Sequence, residues 1–403
     1  MKGNLPVESA IALCAVGAEK TVSNELRKMG FTLSEGGFGK VRFKTDLSGL
    51  YRALMGLRAA DRLLLEAAWF QALDFDELFN GVYAVPWEAY IPFGMGLTVA
   101  KVRTNRSRLQ AETSIQAVAH KAAAKRLCEK RRIDRLPEHA DAAELRIYIE
   151  KDKVSVLLDL SGEPLFKRGY RTKGGTAPLR ETTAAAIMLH SLWRRKYALY
   201  DPFCGSGTIA IEAAMYAWDI APGLSRHFAL EKLLLADEET ERKVRNEFMA
   251  KIDFSRQVRI GGSDSDREAV AFAQANMDRA VTRYRKGDNV TELLPSFRVL
   301  PMAEAHSPFD YAGPSGRIQS GDTENEGFII TNPPYGRRVG DADSAEKTYA
   351  DMGRLAKNFP GWKLVLITDH PGFESFFGRK ADSCTEITNG AIRSYLYQYE
   401  KLQ

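Results

Sequence analysis

Asn332-Pro333-Pro334-Tyr335, followed by Gly336, puts an amide, exposed carbonyls and an aromatic ring on one short, stiff turn. The apolar run before it, Phe328-Ile329-Ile330-Thr331, reads as a buried strand. The prolines stop that strand, because proline cannot extend a sheet and drives the residue before it toward extended backbone. Such a set suits the grip of a planar amine. The Asn332 oxygen and the Pro333 carbonyl accept its hydrogens, and Tyr335 stacks on its ring. Taken alone the tetrapeptide is equally a plain loop or a proline-rich ligand.

Two further stretches decide between these readings. Ala198-Leu199-Tyr200 is a strand that runs into Asp201-Pro202-Phe203-Cys204-Gly205-Ser206-Gly207-Thr208, and Ile209 to Met215 then has helical apolar spacing. Gly205 and Gly207 let the main chain approach a ligand closely, as the crevice above the strands of an open α/β sheet requires for a nucleotide-like cofactor. There is no Gly-Lys-Ser/Thr phosphate loop, and the spacing is not Gly-x-Gly-x-x-Gly. Next along the chain, Ile260-Gly261-Gly262-Ser263-Asp264-Ser265-Asp266 ends another strand ahead of a helix from Arg267 to Met277. A carboxylate there accepts both hydroxyls of a ribose, or else caps the helix; Asp264 is favoured for the ribose and Asp266 for the cap.

In this order and spacing the three motifs resemble class I S-adenosylmethionine-dependent methyltransferases that modify amino groups on nucleobases. The stretches Leu145 to Glu150, Asp159-Leu160-Ser161-Gly162, Lys167-Arg168-Gly169-Tyr170-Arg171 and Ala177-Pro178-Leu179-Arg180-Glu181-Thr182 look like the junction of THUMP-domain RNA methyltransferases, and within them the bacterial 23S ribosomal RNA guanine-N2-methyltransferase family. The resemblance implies an α/β fold, a Rossmann-like class I methyltransferase domain preceded by an α+β ferredoxin-like/THUMP RNA-binding region. It implies S-adenosyl-L-methionine held by Asp201, Pro202, Phe203, Cys204, Gly205, Ser206, Gly207, Thr208 and Asp264, with Asn332, Pro333, Pro334 and Tyr335 as the catalytic turn. The implied reaction is methylation of guanine N2 in RNA, 23S rRNA before transfer RNA. Adenine chemistry and a non-catalytic RNA-binding or ribosome-assembly protein remain as alternatives. One segment departs from the pattern: after Phe297-Arg298-Val299-Leu300 the candidates for the adenine contact, Met302, Ala303 and Glu304, are blurred, and that contact stays unassigned. A polar stretch holding Pro314-Ser315-Gly316 and Ser320 to Asn325 reads as a surface insertion.

These motifs need a scaffold, and 403 residues imply two or three domains. Residues 1–60 alternate strand and helix as a ferredoxin-like α+β segment, 61–161 form the THUMP-like RNA-binding domain, 162–178 a Gly-rich and basic linker, and 179–403 the catalytic domain. With 44% hydrophobic and 27% charged residues and no apolar run of bilayer length, the chain reads as an ordinary cytoplasmic protein. A net charge of +5 is too mild to establish nucleic-acid binding, but the cations cluster. Arg103, Arg106 and Arg108 follow one strand, and Lys121 and Lys125 begin a basic run along the next helix; with Arg168 and Arg171 they are the expected RNA contacts. Cysteines 14, 128, 204 and 384 show no metal or redox spacing, the six histidines form no zinc cluster, and no metal is expected. Cys204 has no histidine nearby to activate it as a nucleophile.

Overall fold

The structure, a computed structural model, describes residues 9–137, 141–171, 179–285, 294–307, 309, 327–335 and 342–403, the side chains of 342–344 excepted. Gly336, the end of the expected linker (172–178) and the polar insertion around 310–326 lie outside the described residues. Two compact units divide the chain. One gathers the described part of Met1–Leu13 with Ser23–Leu165 and Arg226–Asn246; the other gathers Cys14–Val22, Phe166–Ser225 and Glu247–Gln403. No helix among the described residues is long and apolar enough to cross a membrane.

From the N-terminal side the elements are β1 (Ser9–Cys14), α1 (Glu19–Lys28), β2 (Thr32–Leu33), β3 (Lys40–Lys44), α2 (Leu47–Gly56), β4 (Ala60–Gln71), α3 (Phe75–Ala84), β5 (Gly96–Asn105), α4 (Glu112–Arg131), β6 (Ala142–Glu150) and β7 (Lys153–Asp159). The strands make one sheet in the order β2-β3-β1-β4-β7-β6-β5. β4 begins at the boundary expected near residue 60, yet it lies inside this sheet between β1 and β7. Period-two patterning explains the strands: in β6 Ala143, Leu145, Ile147 and Ile149 are buried, alternating with the less buried Glu144, Arg146 and Tyr148. Asp46 and Asp74 cap α2 and α3 by accepting the Gly49 and Glu77 amides. α4 turns Ile115, Ala119, Ala122, Ala123 and Leu127 inward. Residues 226–246 join this unit through backbone bonds from Leu230 to Leu160 and from Leu234 to Tyr90. Arg226 adds donation to the Glu163 and Pro164 carbonyls.

The chain continues through α5 (Glu181–His190), β8 (Ala198–Asp201), α6 (Thr208–Ala217), α7 (Glu238–Met249), β9 (Ile260–Asp264), α8 (Arg267–Val281), β10 (Ser296–Val299), β11 (Gly327–Thr331), α9 (Ala342–Asp351), α10 (Arg354–Asn358), β12 (Lys363–Thr368), α11 (Phe373–Phe377), β13 (Ser383–Asn389) and β14 (Ile392–Tyr399). The second unit holds a sheet ordered β10-β9-β8-β11-β12-β14-β13. Its first five strands in that order run parallel, and β14 lies antiparallel to both β12 and β13. β8 and β11 are buried along their whole length, as interior strands covered on both faces must be, which is why they are continuous apolar runs without alternation. Tyr200, Ile329, Tyr349, Phe359, Leu364 and Leu366 form part of one core cluster against the sheet.

Candidate active site

The strand order of the second unit reverses between β8 and β11, since β8 leads to β9 and β10 on one side while β11 and β12 lie on the other. Ligands of open α/β sheets bind outside the strand ends at such a switch point. Here a cavity of about 420 Å³ is lined by Asp201, Gly205, Ser206, Asp264 and Asn332 among others, with Thr348 of α9 at its side. The three motifs, far apart in the chain, therefore meet in one space. None of Met302, Ala303 and Glu304 lines it.

The glycine loop is built by close packing. Gly207 has φ +82° and caps α6, and a Cβ there would stand 3.0 Å from the Ala273 Cβ. Gly205, at φ +50°, has open space where a Cβ would be, so a ligand can come up to its backbone. Cys204 sits on Gly262 of β9, where an added Cβ would lie 2.7 Å from the Cys204 Cβ. Its amide donates to the Ser263 carbonyl at 2.9 Å. Burial, followed by the nearby carboxylates Asp201 and Asp264, pushes its thiol well above the ordinary value, which disfavours the thiolate. Pro202 is buried, and Phe203 lines the cavity half-exposed.

Two carboxylates border the cavity. Asp264 accepts the Gly205 amide at 2.9 Å on one oxygen and the Asp266 amide at 3.0 Å on the other, and each oxygen keeps a lone pair for a ligand. Asp266 caps α8 by accepting the Glu268 amide at 2.8 Å. Asp201 is 2% exposed and accepts the Phe203 amide at 3.1 Å and the Thr331 hydroxyl at 2.6 Å. Burial raises its carboxyl to about 7, against the lowering effect of those two bonds.

At the end of β11 the prolines stop the strand. Pro333 is buried and Pro334 exposed. The Asn332 Oδ1 atom is buried with no hydrogen-bond partner among the described residues, although Asn332 lines the cavity. A buried acceptor left unmet costs ~1–3 kcal/mol, so this oxygen is free to take a donor. Tyr335 is turned another way. Its hydroxyl is buried toward Asn389 and Ser394, the ring is absent from the cavity lining, and burial raises its ionisation above the ordinary phenol.

Arg168, expected on the RNA, is instead buried in the structure, and Arg171, expected there too, is held by protein groups. Arg168 is 3% exposed and faces the wholly buried Glu212 of α6 at 3.5 Å, with the Tyr170 hydroxyl on the same oxygen at 3.2 Å. A carboxylate buried in an apolar helix needs a cation, and Arg168 supplies it. Arg171 donates to the Leu179 carbonyl at 3.2 Å and to the Thr208 hydroxyl at 2.5 Å, beside Glu181 at 3.6 Å. Arg171 thus braces the starts of α5 and α6, and Arg168 the interior of α6. The sequence carried no local signal for these partners, which lie up to 44 residues away.

In the first unit Arg103, Arg106, Arg108, Lys121 and Lys125 are all exposed. Lys121 and Lys125 line a cavity of about 890 Å³ together with His120, Arg132 and Arg135. Other members of the basic run turn inward: Arg126 pairs with Glu88 at 2.7 Å, and Arg131 donates to the Ile91, Pro92 and Met95 carbonyls.

The family model described as UPF0020, RMKL-like, methyltransferase domain, matches residues 168–289 and 317–398, and the RlmL ferredoxin-like domain matches 9–64. YpsC of Bacillus subtilis (strain 168) is 32% identical over 391 residues, covering 96% of this chain and 95% of that protein. The ribosomal RNA large subunit methyltransferase K/L of Syntrophotalea carbinolica is 32% identical over 409 residues, covering 95% of this chain and 52% of the relative. The chain therefore spans about half the length of the K/L relatives it matches. The crystal structure of SMU.472 complexed with SAH aligns with a TM-score of 0.82 at 35% identity, covering 98% of each chain. With the methyltransferase sheet order, the switch-point cavity and these matches together, the chain belongs to the RMKL-like methyltransferase family and carries that family's ferredoxin-like N-terminal domain.

Proposed function

We propose that this protein methylates the exocyclic N2 amine of a guanine in RNA, with 23S ribosomal RNA as its substrate and S-adenosylmethionine as its cofactor. The observation that carries the reading is the buried Asn332 Oδ1, without a partner among the described residues, in the same cavity as Gly205 and Asp264. Support for the cofactor comes from the open approach to Gly205, the spare lone pairs of Asp264 for a ribose diol, and the SAH held by the structurally similar SMU.472. Support for RNA comes from the names of the K/L relatives and from the exposed cations of the first unit. Guanine N2 in place of adenine N6 rests on family likeness, because Asn-Pro-Pro-Tyr serves either amine.

The amine of guanine is a weak nucleophile because its lone pair is shared with the ring. Asn332 Oδ1 and the Pro333 carbonyl accept its two hydrogens and hold the nitrogen with its lone pair free. When bound, the cofactor supplies a methyl already activated on a sulfonium. What this chain must add is position and a matched electrostatic setting. The methylated nitrogen carries positive charge and sheds its proton to solvent, so no dedicated base is needed. Tyr335 has to swing its ring out of its buried place to stack on the base. The base itself must be unpaired or flipped, since an amine inside a duplex cannot reach the cavity.

Mass-spectrometric mapping of ribosomal and transfer RNA from a deletion strain tests the reading. One N2-methylguanosine of 23S rRNA is expected to vanish and to return with the wild-type gene. Intact N2-methylguanosine together with a lost N6-methyladenosine would overturn it.

A further inference from the structure

The turn Asn332–Tyr335 is fastened at both ends by side chains outside it. At its entry Thr331, the last residue of β11, is wholly buried and donates its hydroxyl to Asp201 Oδ1 at 2.6 Å. Asp201 ends the neighbouring strand β8 and holds the Phe203 amide, so this bond ties the turn to the glycine loop. At its exit Tyr349 of α9, also wholly buried, donates its hydroxyl to the Pro334 carbonyl at 2.9 Å. That phenol has a single proton, so its second contact, Thr368 Oγ1 of β12 at 3.0 Å, must be a bond that Thr368 donates. Thr368 in turn accepts the His370 amide at 3.2 Å. The result is one directional chain, from the His370 amide through Thr368 and Tyr349 to the Pro334 carbonyl.

Between these two anchors the side-chain oxygen of Asn332, Oδ1, is held by no hydrogen bond among the described residues. Its position is set by the backbone of the turn, and the backbone is set by the anchors. We propose that Thr331 and Tyr349 are positioning residues of the transfer reaction, holding Asn332 Oδ1 in register with the glycine loop before substrate arrives. This rests on the reading of Asn332 as acceptor of the amine hydrogens. A misplacement of about 1 Å costs up to ~10²-fold in rate, and a turn with two prolines has few other means of holding its place.

Four variants of the full chain test this: Thr331→Val, its conservative counterpart Thr331→Ser, Tyr349→Phe, and Tyr399→Phe. The last deletes an equally buried hydroxyl of the same core, one that donates to the Arg379 carbonyl at 3.0 Å, and controls for lost stability. Single-turnover transfer of tritiated methyl to unmodified 23S rRNA transcript is measured, with SAH titration and hydrogen exchange of the peptide spanning the turn. Thr331→Val and Tyr349→Phe are expected to slow transfer ~10–100-fold, leave SAH affinity within about threefold, and speed exchange of the Asn332 and Tyr335 amides. Thr331→Ser restores the rate, and Tyr399→Phe lowers the unfolding midpoint without slowing transfer. Unchanged exchange in the turn, or a rate loss no larger than that of Tyr399→Phe, overturns the proposal. An inactive Asn332→Ala beside fully active Thr331→Val and Tyr349→Phe sinks the anchors alone. An active Asn332→Ala sinks the underlying reading, while the exchange data still decide whether the turn is fastened this way.

Discussion

The amide of Gly205 donates to the Asp264 carboxylate at 2.9 Å across 59 residues of chain, so the tip of the glycine loop is held by the acid that ends the next strand. Loop and acid are one device, and a ligand meeting either finds the other already placed.

Asp264→Asn breaks that device, because an amide cannot accept on both sides where Gly205 and Asp266 donate. A loss of ~1.5–3 kcal/mol in SAH binding is expected, roughly 10–150-fold in calorimetric affinity. Asp266→Ala serves as its contrast. Losing the α8 cap costs about 1 kcal/mol of stability and leaves the affinity as it was. Equal effects of the two substitutions on affinity would show that Asp264 acts only through the fold.

Asn332→Ala removes the unpartnered acceptor and is expected to lower transfer by at least ~10²–10³-fold, as the loss of one aimed hydrogen-bonding group does in other active sites. SAH binding stays near wild type, since the loop and Asp264 are untouched. Turnover close to wild type in a tritium-transfer assay would remove Asn332 from the mechanism.

Asp201 makes stability depend on pH in an unusual direction. Its folded-state value of about 7 lies above the ordinary 3.8, so between the two the folded form binds more protons than the unfolded one. The associated stabilisation is complete below about pH 4 and is lost as pH rises through about 7, on the order of a few kcal/mol. Asp201→Asn is expected to flatten this component of urea-unfolding curves taken from pH 4 to 8. Parallel pH slopes for the two proteins would refute the assignment.

The cations separate into two kinds. Lys121→Ala with Lys125→Ala is expected to weaken RNA binding and reduce the salt slope by nearly ~1 per lysine lost from a phosphate. Arg168→Met strands the Glu212 carboxylate in the core and costs ~3–5 kcal/mol of stability, with the salt slope of RNA binding unchanged. Filter binding across a salt series, read beside thermal unfolding, distinguishes them.

The three strand–turn–helix motifs were legible because each is local. Apolar runs mark β8 and β11, Asp266 caps α8 just where its spacing implied, and Gly205 and Gly207 have the positive φ that their loop demanded. What the sequence hid is long-range. Arg168 looked like one more basic residue of a linker because Glu212, its partner, sits inside a helix that reads as wholly apolar. Tyr349 carries no motif, and its bond to the Pro334 carbonyl exists only once α9 has packed on the sheet. Tyr335 was read as facing a ligand, and only the folded chain reveals its hydroxyl turned into the protein.

Residues 226–246 have a further consequence through where they fall in the chain. They complete the first unit although residues of the second precede and follow them, and Cys14–Val22 likewise belongs to the second unit. During synthesis the last segment of the first unit, ending at residue 246, is made after β8 and α6 and before β9 to β14. A cut after residue 165 would split both units: one fragment would lack the segment that bonds to Leu160 and Tyr90, and the other would lack Val16, whose amide and carbonyl both bond to Thr388. Moving either unit onto a new partner would require rejoining the chain at two places.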